Sequence, residues 1–201
     1  MAMILASQSP RRRELLGQMG FSFTVRPAKG EELPHPELTP AQLVEELARQ
    51  KALEVSAGAD ADDVVVAADT LVAVDGTVLG KPRDRAHAAE MLSALSGREH
   101  TVYTGVAVKR GEKLLVEHEA TFVRFRPLTQ REIDLYIQTG EPMDKAGGYG
   151  IQGYGALLVE GIRGDYFNVV GLPICRLGRM LAQVGEDALA QCAQKCAEKE
   201  R

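Results

Sequence analysis

Residues Val64-Val65-Val66-Ala67-Ala68 form a run without a polar side chain, followed at once by Asp69 and Thr70. So short and β-branched a run reads as a strand, and a strand that is apolar at every position needs cover on both faces. Helices must therefore flank a sheet on two sides, and the flanking sequence supplies them. Met3-Ile4-Leu5-Ala6 is a short strand, and 10–19 has helical spacing behind a Ser9 cap with Pro10 at the first helical position. Residues 21–25 read as a strand, 39–57 as a helix opened by Thr39-Pro40, and 71–79 as a hairpin turning at Asp75-Gly76. A helix over 84–95 precedes two longer strands, 101–108 and 113–125, joined at Arg110-Gly111. Thr129 and Glu132 form a capping box for a helix over 129–139. A Gly-rich loop, a strand over 156–162, a loop over 164–173 and a helix over 173–184 complete the pattern. The expectation is an α/β fold with a mixed twisted sheet and flanking helices, one domain over 1–184 and a polar helical tail over 185–201.

Composition removes several functions. The 201 residues suffice for one large domain or two small lobes with a real core. A net charge of -4 argues against general nucleic-acid binding, which needs a basic face. No apolar run approaches the roughly 20 residues of a membrane span, and the four apolar residues at the N-terminus precede the charges, unlike a secretion signal. Cys175, Cys192 and Cys196 follow no disulfide framework, so a cytoplasmic protein with reduced thiols is expected. Cys192 and Cys196 lie one helical turn apart, but no nearby histidine completes a zinc site.

Several residues break their local pattern. Arg11, Arg12 and Arg13 crowd the first turn of a helix, an end that already carries partial positive charge. The turn is either a solvated basic corner or an anion site for a ligand with several negative charges, such as a polyphosphate. Arg12 is in phase with Leu15, Leu16 and Met19, so it faces inward, towards a ligand or a structural carboxylate. Lys51 falls in the middle of the apolar face made by Leu43, Val44, Leu47, Ala48 and Val55. It either snorkels out or enters a cleft and meets an anion. Asp69 is expected at the carboxyl end of its strand, where open α/β sheets place ligands. A two-residue turn at Asp75-Gly76 would set Thr70 opposite Lys81 and Lys81 beside Asp69, as a salt bridge or as an active site. Glu31 and Glu32 offer hard oxygen ligands suited to Mg²⁺ or Mn²⁺ held with phosphates, or are simply solvated.

Gly148, Gly150 and Gly153 match G-x-G-x-x-G, yet a helix precedes them and a strand follows, the reverse of a dinucleotide fingerprint. The loop instead reads as backbone approaching a ligand closely, with Lys145 and Gln152 supplying side chains.

Taken together, these segments resemble the Maf family of nucleotide pyrophosphatases. The matching stretches are Leu5-Ala6-Ser7-Gln8-Ser9-Pro10-Arg11-Arg12, Lys51-Ala52, Ala68-Asp69-Thr70, Gly80-Lys81-Pro82, Glu141-Pro142-Met143-Asp144-Lys145-Ala146-Gly147, Tyr149-Gly150-Ile151-Gln152-Gly153 and Asn168-Val169-Val170-Gly171-Leu172-Pro173. The resemblance implies a Maf/ITPase-like fold with a substrate cleft between two lobes. It implies hydrolysis of a nucleoside triphosphate to a monophosphate and pyrophosphate with a divalent metal, Mg²⁺ or Mn²⁺. The family's proton acceptor maps onto Asp69, and its other catalytic and phosphate-handling positions map onto Ser7, Arg12, Glu32, Lys51 and Lys81. Glu32 and Asp69 are the expected metal partners, and Lys145 is expected to bind substrate. The family's specificity positions map onto Arg11, Thr70 and Gln152, the set of its dTTP/UTP branch; the 7-methyl-GTP branch carries a tryptophan that this chain lacks. A homodimer is plausible for the family. Its name is also tied to inhibition of septum formation, so the alternative is a cell-division regulator acting through partner binding.

Overall fold

The computed structural model describes residues 2–30, 35 and 37–199, the last turns of the chain at 195, 196, 198 and 199 by backbone alone. Glu31, Glu32 and the side chain of Cys196 lie outside the described residues.

The described residues form a mixed α/β fold around a sheet of seven strands. These are β1 (Met3–Leu5), β2 (Phe23–Val25), β3 (Val64–Val74), β4 (Thr77–Leu79), β5 (Glu99–Arg110), β6 (Lys113–Phe125) and β7 (Val159–Arg163). The helices are α1 (Pro10–Gln18), α2 (Pro40–Ser56), α3 (Arg85–Leu95), α4 (Gln130–Gln138), α5 (Tyr166–Val170), α6 (Ile174–Gln183) and α7 (Ala188–Lys199). The sheet runs β2-β1-β3-β5-β6-β7, with β4 paired to β3. β1 is parallel to β2 and β3, while β3, β5, β6 and β7 are successively antiparallel. Local signals act as expected: Thr39 caps α2, Thr129 with Glu132 closes a capping box, and Ser9 accepts from the Arg12 N–H; Gln42 completes a second box with Thr39.

The apolar run that opens β3 is only its first half. Apolar character resumes after Asp69-Thr70 at Leu71, and the strand continues for eleven residues to Val74. Asp69 therefore sits mid-strand, not at a carboxyl end. The Asp75-Gly76 turn has φ of 48° and 77°, the left-handed pair that a two-residue hairpin requires. Its ladder matches Val74 to Thr77 and Val72 to Leu79, then stops, so Lys81 does not pair across from Thr70. The last strand begins at Val159, because Gly153–Leu157 winds into a 3-10 turn, and the presumed loop over 164–173 contains α5.

β5 pairs with β3 without a break from Val65 to Ala73. The opposite edge is shared: β1 occupies it at Val64–Val66, and β4 takes it up again at Val72. Residues 67–71 have no strand neighbour there among the described residues. That notch positions the site.

Alternation along β3 divides its side chains between two layers. Val65, Ala67, Leu71 and Ala73 face α2, packing on Val44, Ala48, Ala52 and Val55. Val64, Val66 and Ala68 face Leu15 and Leu16 of α1 and Leu177, Met180 and Leu181 of α6. Val72 and Val74 meet Leu92 and Leu95 of α3 and Ile133 and Ile137 of α4. α7 returns to the body, where Ala188 packs on the α1–α6 cluster.

The α2 layer sits close because Gly105 of β5 has no side chain. A Cβ there would stand 2.1 Å from the Val44 carbonyl oxygen and 2.8 Å from the Glu45 nitrogen, both backbone. Gly105→Ala must displace the helix. Overpacking of this kind costs about 1–3 kcal/mol, and a domain of this size loses about 2–4 °C in Tm per kcal/mol. Thermal denaturation should show a Tm lower by about 2–12 °C; an unchanged Tm would mean that α2 is not seated in this way.

Candidate active site

Asp69 and Thr70 occupy the notch, and consecutive strand residues project to opposite faces. Asp69 is the register partner of Gly105, on the α2 side. Lys51, three turns into α2, reaches down to it with Nζ 2.5 Å from Oδ1, both side chains being about four-fifths buried. The lysine that broke the apolar face thus enters the cleft and meets an anion, Asp69, in the place that the hairpin register would give to Lys81.

Thr70 faces the other layer and meets Arg12. The Arg12 guanidinium donates from Nε to the Gly171 carbonyl at 2.7 Å, from Nη1 to Ser7 Oγ at 3.1 Å and from Nη2 to Thr70 Oγ1 at 2.9 Å. Thr70 and Thr104 share a hydroxyl hydrogen bond of 2.9 Å, and Thr104 donates to the Asn168 carbonyl. Ser7 Oγ also accepts from the Ser9 N–H. Gly171 has φ of 120°, a conformation open to glycine, which turns its carbonyl back to Arg12 after α5. Arg12 faces inward as its helical phase requires.

These residues surround one cavity of about 770 Å³, within the range of small-molecule sites. Ser7, Arg11, Arg12, Lys51, Asp69, Thr70, Lys81, Lys145 and Gln152 all line it. Every candidate site residue inside the described part of the chain is therefore brought together; Glu32 lies outside that part. The cavity lies between the α1–β3 segment on one side and the Gly-rich loop on the other. Among the described residues, five cationic side chains line it against two carboxylates, Asp69 and Asp144. An overall acidic chain has concentrated positive charge at one place, which focuses field on an anionic ligand.

Asp144 ties the two sides together. Its carboxylate meets Arg11 Nη1 at 3.3 Å and Lys145 Nζ at 2.6 Å. Burial pushes its carboxyl up, but the hydrogen bond and charge of Lys145, with those of Arg11, outweigh this and hold it below the usual carboxylate range. Lys145 also donates to the Glu141 carbonyl at 2.7 Å. The loop reaches the sheet closely at Gly147, whose φ is 71° and whose N–H donates to the Gly80 carbonyl at 2.9 Å. Behind the loop, Tyr149 is buried with its hydroxyl 2.7 Å from His100 Nε2. Burial lowers the His100 pKa to about 4, so this imidazole stays neutral.

The sequence contained no local signal for Gly105 or Thr104 as parts of the site, because each acts through a residue far away in the chain; Gly171 was visible within its motif but had no assigned partner. Asp144 was visible within its motif but had no assigned partner; its link to Arg11 spans 133 positions.

The profile of the Maf-like protein family matches residues 2–184. A dTTP/UTP pyrophosphatase from Symbiobacterium thermophilum is 56% identical over 187 residues, covering 91% of this chain and 94% of that protein. A dTTP/UTP pyrophosphatase from Moorella thermoacetica is 56% identical over 188 residues, covering 92% and 96%. One from Bacillus pumilus is 52% identical over 183 residues, covering 91% and 96%. Among solved structures, a dITP/XTP pyrophosphatase from Mycobacterium abscessus aligns at a TM-score of 0.45 and 18% identity, over 92% of this chain and 97% of that one.

Proposed function

This chain belongs to the Maf-like protein family, and from that premise we propose that it hydrolyses dTTP and UTP to the nucleoside monophosphate and pyrophosphate. The observation that carries the proposal is the convergence of Arg11, Arg12, Lys51, Lys81 and Lys145 around Asp69 in one cavity. A triphosphate brings about four negative charges, and phosphoryl transfer is governed by positioning and electrostatic stabilisation. Relatives about half identical over nine-tenths of the chain carry the dTTP/UTP name, which supports the same substrate class here.

Arg12 holds a rigid fork on Ser7, Thr70 and Gly171, so it presents its remaining charge to phosphate oxygens with little ordering cost. Lys51 neutralises Asp69 and lies where a phosphate oxygen would compete for it. Lys81 and Lys145 extend the cationic wall along the polyphosphate. Asp69 takes the proton of the attacking water as the bond between the α-phosphorus and the bridging oxygen breaks. Arg11, Thr70 and Gln152 read the base, the last offering both a donor and an acceptor to a pyrimidine edge.

A divalent ion fits this donor set. Among the described residues no three His, Cys, Asp or Glu side chains gather into a cage, and Mg²⁺ is commonly held by one or two carboxylates together with phosphates. Asp69, with Glu32 as the second carboxylate, would hold it. Once bound, such an ion lowers the pKa of water and offsets charge on the phosphates. No helix among the described residues is long and apolar enough to cross a membrane, and the proposal places the enzyme in the cytoplasm with its nucleotide substrates.

The test is a nucleotide panel with Mg²⁺ or Mn²⁺, reading phosphate with malachite green after added inorganic pyrophosphatase. dTTP and UTP should be turned over fastest, with a signal that depends on the added pyrophosphatase. Turnover confined to purine triphosphates would overturn the base assignment.

A further inference from the structure

We propose that Glu141 is a positioning residue for base selection, setting the loop that carries Gln152; this rests on the reading of Gln152 given above. Glu141 lies before the Gly-rich loop and folds it around its own carboxylate. Oε2 accepts from the Tyr154 N–H at 2.9 Å, and Oε1 accepts from the Gly155 N–H at 3.0 Å. Oε1 also accepts from the Tyr136 hydroxyl at 2.9 Å, and that hydroxyl accepts from the Gly150 N–H at 3.2 Å. Both ends of the segment 150–155 are thus tied to one carboxylate, and Gln152 stands between them on the cavity wall.

The fit requires glycine on either side of the anchor. Gly153 has φ of 68°, and a Cβ there would lie 2.6 Å from Glu141 Oε2. A Cβ on Gly155 would lie 2.1 Å from the Gly150 carbonyl oxygen and 2.8 Å from the Tyr136 hydroxyl. Gly153, the last glycine of the G-x-G-x-x-G match, and Gly155 therefore have a structural use: they let the backbone close around the Glu141 carboxylate. Burial of Tyr136, with the charge of Glu141, raises the phenol's pKa and keeps it a donor. A carboxylate that accepts from two backbone N–H groups and a hydroxyl is a strong local constraint, and base discrimination through hydrogen bonds depends on where the reading amide is held.

The experiment compares Glu141→Gln, Tyr136→Phe, Gln152→Ala and the Glu141→Gln/Gln152→Ala double variant in purified protein, measuring kcat and KM for dTTP and dCTP. Glu141→Gln keeps volume but puts an amide donor where an acceptor is needed. It should lower the dTTP-to-dCTP ratio of kcat/KM by about tenfold, chiefly through KM for dTTP, with kcat held within about threefold. Tyr136→Phe should lower the same ratio less, and it carries the test if Glu141→Gln does not fold. The double variant should discriminate no worse than Gln152→Ala alone. An equal loss for both nucleotides in Glu141→Gln, while Gln152→Ala collapses the ratio, would overturn the proposal and leave Glu141 as scaffold. A ratio unchanged in Gln152→Ala would instead overturn the base-reading role of Gln152, and with it this dependence.

Discussion

Asp69→Asn should lower kcat for dTTP by about 10²–10⁴-fold, the usual contribution of a positioned general base, while the protein stays folded. Asparagine is nearly isosteric, so the strand and its pairing to Gly105 are kept. Its amide oxygen still accepts from Lys51, so the ammonium held 2.5 Å from Oδ1 is not stranded. What is lost is the negative charge and the capacity to take a proton. The measurement is pyrophosphate release under saturating dTTP, beside circular dichroism to show the fold. A kcat within threefold of the parent would remove Asp69 from its role. Lys51→Ala is expected to be worse for stability, because it leaves a largely buried carboxylate without its partner.

The second large effect belongs to Arg12. Arg12→Lys keeps the charge but not the fork. One ammonium cannot serve the Gly171 carbonyl, Ser7 and Thr70 from the directions that Nε, Nη1 and Nη2 occupy. Each hydrogen bond of the charged group that lysine cannot remake costs about 1.5–3 kcal/mol, which corresponds to about 13- to 160-fold in kcat/KM. Steady-state kinetics on dTTP and UTP should show a fall in this range that is equal for the two nucleotides, since the triphosphate is common to both. A loss below threefold would mean that the guanidinium serves only to tie α1 to the loop after α5.

Much of this was legible in the sequence because the relevant signals are local. Capping residues sit three positions from their partners, so Thr39 and Thr129 announced α2 and α4. Arg12 and Lys51 were visible because each violates the phase of its own helix, and a cation in an apolar stripe needs a reason. The run Val64 to Ala68 announced a sheet covered on both faces. Its continuation was not legible: Asp69-Thr70 looks like an ending when the sequence gives no account of what lies across the edge. The partner of Asp69 was misread for the same reason. Hairpin geometry alone carries the ladder to Lys81, whereas the real ladder ends at Leu79 and the helix packed overhead delivers Lys51 instead. Glu141 and Gly105 are legible only in three dimensions, since their contacts are defined by the close approach of backbone segments.

Strand alternation at the notch has a consequence for engineering. Asp69 and Lys51 stand on the α2 side of β3, whereas Thr70 and Arg12 stand on the opposite side, where the Gly-rich loop also approaches through Gly147 and Val72. Both pairs nonetheless line one cavity, so the two faces of the strand edge present the proposed proton acceptor and the proposed ligand-reading groups to the same ligand from different sides. On the proposed roles, substitutions along the loop should shift substrate preference while leaving the Lys51–Asp69 pair on the α2 side in place.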